Sequence, residues 1–209
     1  MRTAVFGGTF DPVHIGHLVM ADEVLSQLQY DQIRFMPARI APHKSGEPSA
    51  SAGHRLAMLR LATAERDEFV VDPYELEREG PSYTVRTLRH LISSGIVTGT
   101  PGLIIGMDLV AGFDAWREAD EVERLADLIL VRRPSSDGGH QTPCFDRKHH
   151  LVDNVTLAVS ATEIRRRVPE GLPFRYLVTP EVYGYIRDEK LYRSMTAGDS
   201  SSRSGTDDA

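Results

Sequence analysis

An α/β fold built on one doubly wound parallel sheet is what this sequence predicts, and three observations carry it. Short apolar runs alternate with segments of helical periodicity, the pattern of strands joined by crossover helices. The first run, Arg2 to Phe6, passes through a turn with two adjacent glycines, Gly7 and Gly8, straight into a helix. Later runs also end abruptly on glycine, arginine or serine, where the ligand-binding edge of such a sheet lies. The expected sheet is therefore Rossmann-like, with a small C-terminal helical region behind it.

Taken in order, Ile15, Leu18, Val19, Leu25 and Leu28 recur at helical spacing after the glycine turn. Gln32 to Met36 is a second strand, stopped by Pro37, and 38–52 is a long Pro- and Gly-containing loop of the functional kind. His54 to Glu65 is a helix with Arg55 on its surface or at its cap, and Phe69 to Asp72 is a strand. Gly80-Pro81 punctuates the chain before a helix from Val85 to Ser93, with Ser82 as candidate N-cap. Strands follow at Pro101 to Ile105, Asp127 to Val131 and Val155 to Val159, with a short helix from Leu109 to Phe113. The Ser-, Gly- and His-rich stretch from Ser135 to His150 is read as an irregular loop. Residues 1–193 form one domain, 170–193 being the C-terminal helical region, and 194–209 reads as a disordered tail.

Twenty-four basic against thirty acidic residues give a net charge of −6, so no global field recruits nucleic acid, and an anionic ligand needs a local cluster of donors. One cysteine excludes an internal disulfide framework and fits a reducing cytoplasm. No run approaches the roughly 20 apolar residues of a membrane span. A cytoplasmic protein without membrane or nucleic-acid partners is expected; a homo-oligomer is compatible with the sequence.

The densest chemistry lies in Gly7-Gly8-Thr9-Phe10-Asp11-Pro12-Val13-His14-Ile15-Gly16-His17. Glycines between a strand and a helix let backbone N–H groups approach a ligand, and the helix start favours an anion, phosphate above all. His14 and His17 add imidazole donors. A zinc site through the same histidines lacks its further ligands, since the lone Cys144 has no partner pattern nearby.

Other candidates converge on the same edge. Lys44, in Pro42-His43-Lys44, is a solvated loop cation or a phosphate ligand. Asp108 follows the strand ending at Gly106 and reads equally as a ribose acceptor or a helix cap. Trp116, the only tryptophan, is core or a stacking face. Ser160-Ala161-Thr162-Glu163-Ile164-Arg165 reads as a capping box and as a second anion site.

These motifs, with Gly-Pro-Ser-Tyr-Thr at 80–84, occur in the order seen in bacterial nicotinate mononucleotide adenylyltransferases, which the chain resembles over about residues 2 to 193. The outer two motifs resemble the wider nucleotidyltransferase superfamily, and the middle ones the nicotinate-specific branch. The resemblance implies adenylyl transfer from ATP to nicotinate mononucleotide, giving deamido-NAD and pyrophosphate, with Mg²⁺ carried by ATP. It implies that Gly7, Gly8, Thr9 and Phe10 form the phosphate turn and that His14, His17, Lys44 and Arg165 hold the triphosphate. It further implies Gly106 and Asp108 at the adenosine, Ser160 and Thr162 along ATP, and Tyr83, Thr84, Trp116 and Arg133 at the nicotinate nucleotide. Ala161 departs from relatives that carry a second serine there. The alternatives are nicotinamide mononucleotide or phosphopantetheine as acceptor, or a non-catalytic nucleotide-sensing module.

Overall fold

The computed structural model describes residues 1–42, 48–133 and 145–193. Strands β1 (Thr3–Gly8), β2 (Gln32–Pro37), β3 (Phe69–Val71), β4 (Gly102–Gly106), β5 (Asp127–Val131) and β6 (His149–Val152) form one parallel sheet in the order β3-β2-β1-β4-β5-β6. Its helices are α1 (Ile15–Leu28), α2 (Ala52–Thr63), α3 (Thr84–Ser93), α4 (Ala119–Leu125), α5 (Ala161–Arg167) and α6 (Pro180–Asp188), with 3-10 turns at Met107–Ala115 and Arg175–Leu177.

Strand residues alternate between faces, and the sequence makes both faces apolar. Ala4, Phe6, Ile33, Phe35, Ile104 and Ile129 join Met20, Val24, Met58, Leu59, Val182 and Ile186 in one core, so α1, α2 and α6 cover that face. Val5, Leu103, Ile105, Leu128 and Leu130 join Val85, Leu88, Leu91 and Val122 in the other, under α3 and α4. Helices on both faces make the sheet doubly wound, as the alternating pattern predicts. Ser51 caps α2 by accepting from the His54 N–H at 3.3 Å, and Thr179 caps α6 through the Val182 N–H at 3.4 Å.

The structure departs from the sequence-based expectations in identifiable places. The last strand is His149–Val152, which begins at the end of the stretch expected to be irregular, and Val155 to Val159 is not a strand. The Asn154 side chain accepts from the Arg132 N–H and donates to the Arg132 and Val155 carbonyls, which takes up backbone groups just past the ladder. Beyond it Val155 is exposed while Val159 packs at Gly16; the apolar alternation serves a wall, not a sheet. Helix α4 escaped the sequence reading because only Ala119 and Val122 mark its buried side. Ser82 does not cap α3, whose cap position is Tyr83; its hydroxyl accepts from the Arg39 N–H at 3.0 Å. Lys44 and the tail 194–209 lie outside the described residues.

Candidate active site

The site begins where β1 stops pairing. Phe10 adopts φ +49°, a left-handed conformation that costs a non-glycine residue roughly 1–3 kcal/mol. Its ring is buried edge-on to Phe6 and Phe35, at centroid distances of 5.7 and 5.8 Å. Gly8 is required beneath that ring, because a Cβ there would lie 2.8 Å from Phe10 Cζ. The turn delivers Asp11, His14 and His17, all buried. The His14 N–H donates to His17 Nδ1 at 3.2 Å, and the two rings lie 3.7 Å apart. With Nδ1 accepting, the neutral His17 ring carries its proton on Nε2.

The second wall comes from the ends of β4 and β5. Asp108 is not the helix cap, a position held by Gly106; it stands in the first turn, where Arg133 Nη1 approaches its Oδ2 at 3.4 Å. A Cβ on Gly106 would meet Asp108 Oδ1 at 2.3 Å and Arg133 Nε at 2.8 Å. The glycine is therefore what lets the pair sit against the strand end.

The third wall is the start of α5. Ser160 Oγ accepts from the Glu163 N–H at 3.1 Å, so the capping reading holds. The Glu163 carboxylate is occupied by Arg166 and Arg167, which hold it down at about 2. Arg165 points the other way and donates to the Asp11 carbonyl at 2.7 Å.

These walls enclose a cavity of about 820 Å³ lined by Gly8, Thr9, Phe10, His14, His17, Asp108, Arg133, Ser160, Thr162 and Arg165. Within the structure, Thr9 Oγ1 and Arg133 Nε, both on lining residues, are buried polar atoms with no hydrogen-bond partner among the described residues. Gly7 and Gly106 are not among the lining residues. Tyr83, Thr84 and Trp116 are not part of that lining: Tyr83 and Trp116 pack against the α3 and α4 side of the sheet, and Trp116 leans on Phe113 at 5.0 Å.

Three residues organise the turn that sequence reasoning did not select. Arg55 is 1% exposed, opposite to the surface role expected of it, and its Nη1 donates to the Thr9 and Ala38 carbonyls, both at 2.7 Å. Burial lowers its pKa, and the Asp11 carboxylate acts against that shift. The Asp11 carboxylate accepts from the Ser49 N–H at 2.7 Å, the Ala50 N–H at 3.1 Å and the Tyr192 hydroxyl at 2.8 Å. Asp11 lay inside the signature stretch and was legible there; nothing in the sequence near Arg55 or Tyr192 signals the turn.

Comparison with known proteins agrees with this geometry. Residues 5–167 match the family model described as cytidylyltransferase-like. A protein of Symbiobacterium thermophilum named "Probable nicotinate-nucleotide adenylyltransferase" is 38% identical over 206 residues, covering 95% of this chain and 99% of that one. A Geobacillus thermodenitrificans protein of the same name is 41% identical over 196 residues, covering 94% and 88%. Among solved structures, the Plasmodium falciparum nicotinic acid mononucleotide adenylyltransferase complexed with NaAD superposes with a TM-score of 0.69 at 18% identity, covering 91% of this chain and 97% of that one. The structure shares the fold; the sequence relatives, matched nearly end to end, carry the assignment. This chain belongs to the cytidylyltransferase-like family and, within it, to the nicotinate-nucleotide adenylyltransferases.

Proposed function

We propose that the protein transfers the adenylyl group of ATP to nicotinate mononucleotide, releasing deamido-NAD and pyrophosphate. The observation that carries the proposal is the convergence of the β1 turn, the β4 end and the α5 start on one cavity containing His14, His17, Asp108 and Arg165. The acceptor is taken from the relatives named above, which share the length of this chain.

The attacking 5′-phosphate is already ionised, so no side chain has to serve as nucleophile. The protein's task is to align two anions and stabilise charge on the α-phosphate and the leaving pyrophosphate. His14 and His17 donate to the triphosphate, joined by Arg165 and Lys44. Asp108 accepts from the adenosine ribose, and Gly7, Gly8, Thr9, Phe10, Gly106, Ser160 and Thr162 shape the ATP side. Mg²⁺ arrives as part of the MgATP substrate and offsets its charge. Among the described residues no group of three or more His, Cys, Asp or Glu could hold the ion apart from it.

Nicotinate mononucleotide then lies toward the start of α3, with Trp116 stacking on the pyridine ring and Arg133 nearby. The Tyr83 N–H already donates to the Pro81 carbonyl at 3.1 Å, so the Thr84 amide is the one that a nicotinate carboxylate takes without displacing that bond. No described helix is long and apolar enough to cross a membrane, and a cytoplasmic location accords with the single cysteine.

The test is pyrophosphate release by purified protein with MgATP, run in parallel with nicotinate mononucleotide, nicotinamide mononucleotide and phosphopantetheine. Release with the nicotinate compound is expected. Release with another acceptor only would overturn the pocket assigned to Tyr83, Thr84 and Trp116. Silence with all three, from protein that binds ATP, would indicate a nucleotide sensor.

A further inference from the structure

Asp11 is a buried carboxylate beside a cavity that has to receive a triphosphate, and left uncompensated there it would repel the substrate. Two of its three donors are the Ser49 and Ala50 amides, which lead into α2. The third is the phenol of Tyr192, 181 residues away. The chain bends sharply to deliver it. After α6 both Lys190 and Tyr192 take left-handed conformations, φ +53° and +60°, and the Leu191 N–H returns to the Ile186 carbonyl at 3.0 Å. Burial and the adjacent Asp11 push the phenol well above its ordinary pKa, so it remains a donor.

The bond matters because Asp11 is the point where separate walls are tied together. Its side chain holds 49–50, its carbonyl takes the guanidinium of Arg165, and Arg55 holds the Thr9 carbonyl two residues earlier. We propose that Tyr192 is a positioning residue for adenylyl transfer: through Asp11 it sets the signature turn against Arg165 and so completes the ATP half of the site. The inference rests on the reading of this cavity as the ATP site. It assigns a task in the reaction to the segment after α6, whose described residues are not among those lining the cavity.

The experiment compares wild type, Tyr192→Phe and Tyr192→Ala in full-length protein. Phenylalanine removes one oxygen, and losing a hydrogen bond to a charged group predicts a drop in kcat of about tenfold. The expected signature is that drop with weaker ATP binding and a KM for nicotinate mononucleotide within about twofold of wild type, at a Tm only a few degrees lower. A packing role gives the opposite order: Tyr192→Phe equals wild type and Tyr192→Ala alone is impaired, which overturns the proposal. If wild type proves inactive with every acceptor, the proposed function fails first. Tyr192 is then read from the Kd of a non-hydrolysable ATP analogue, where an unchanged Kd in Tyr192→Phe overturns the proposal and a several-fold weaker one supports it. If Tyr192→Phe is strongly destabilised, amide hydrogen exchange decides. Faster exchange confined to the amides of 9–11 and 49–51 supports the proposal, and uniform acceleration overturns it.

Discussion

His14 and His17 are coupled through the backbone: the amide of the first donates to Nδ1 of the second, and their rings lie 3.7 Å apart. One nitrogen of His17 is thereby spent on its own turn. The other, Nε2, then carries the ring proton.

That tautomer makes a distinction between amide replacements. His17→Ala is expected to lower kcat by about 10²-fold or more, the scale of losing one transition-state donor. His17→Gln, whose side-chain nitrogen can approach the Nε2 position, should retain more activity than His17→Asn, whose nitrogen approaches Nδ1. Steady-state pyrophosphate release checks the order, and equal activities for the two amides would remove the role assigned to Nε2.

Gly106 offers a test of the second wall that removes no charged group. Gly106→Ala puts a methyl group 2.3 Å from the present position of Asp108 Oδ1, so the pair with Arg133 has to shift. The expected outcome is a KM for ATP raised about tenfold or more, on the scale of about 1.4 kcal/mol of lost binding. Circular dichroism should show that the variant still folds.

Arg55 is a stability determinant at the foot of the turn. Arg55→Met keeps much of the volume and loses the guanidinium hydrogen bonds to the Thr9, Ala38 and Arg39 carbonyls, at an expected cost of about 2–4 kcal/mol in urea unfolding. A change below about 0.5 kcal/mol would mean that water replaces the guanidinium at the Thr9 and Ala38 carbonyls.

Glu75 gives stability a pH dependence. Its carboxyl accepts from Thr87, and burial, with Asp72 adding to it, raises its pKa above the usual carboxylate value. A raised folded-state pKa means that protonation favours the native state. This contribution is complete below the unfolded value of about 4.5 and is lost as pH rises through the folded one. Glu75→Gln, which keeps the acceptor oxygen and never ionises, should raise Tm at pH 7 to 8 and change it little near pH 4. A thermal-melt series across that range measures it.

How much of this was legible in the sequence differs by kind of residue. Core strands could be read because a sheet covered on both faces demands near-continuous apolar runs such as Leu103-Ile104-Ile105 and Leu128-Ile129-Leu130. The signature turn could be read because glycines and histidines at fixed spacing have few other uses. The final strand could not. His149 and His150 lie exposed on an edge strand and carry no apolar pattern, whereas Val155 to Val159 alternates like a strand and lines the cavity instead. Arg55 and Tyr192 were hidden for a different reason: their partners are a carbonyl and a carboxylate distant in sequence, and tertiary hydrogen bonds leave no local periodicity.

The position of β1 in the sheet has a consequence for how the chain is made. It precedes the other five described strands in the chain, yet it ends as a central strand, paired on one side with β2 at residue 32 and on the other with β4 at residue 102. Until β4 has been synthesised, one edge of an apolar strand therefore has no native neighbour, the condition under which nascent chains aggregate. Synthesis slowed before residue 102 would prolong that exposure, whereas a pause after it would let the central strands zip together first.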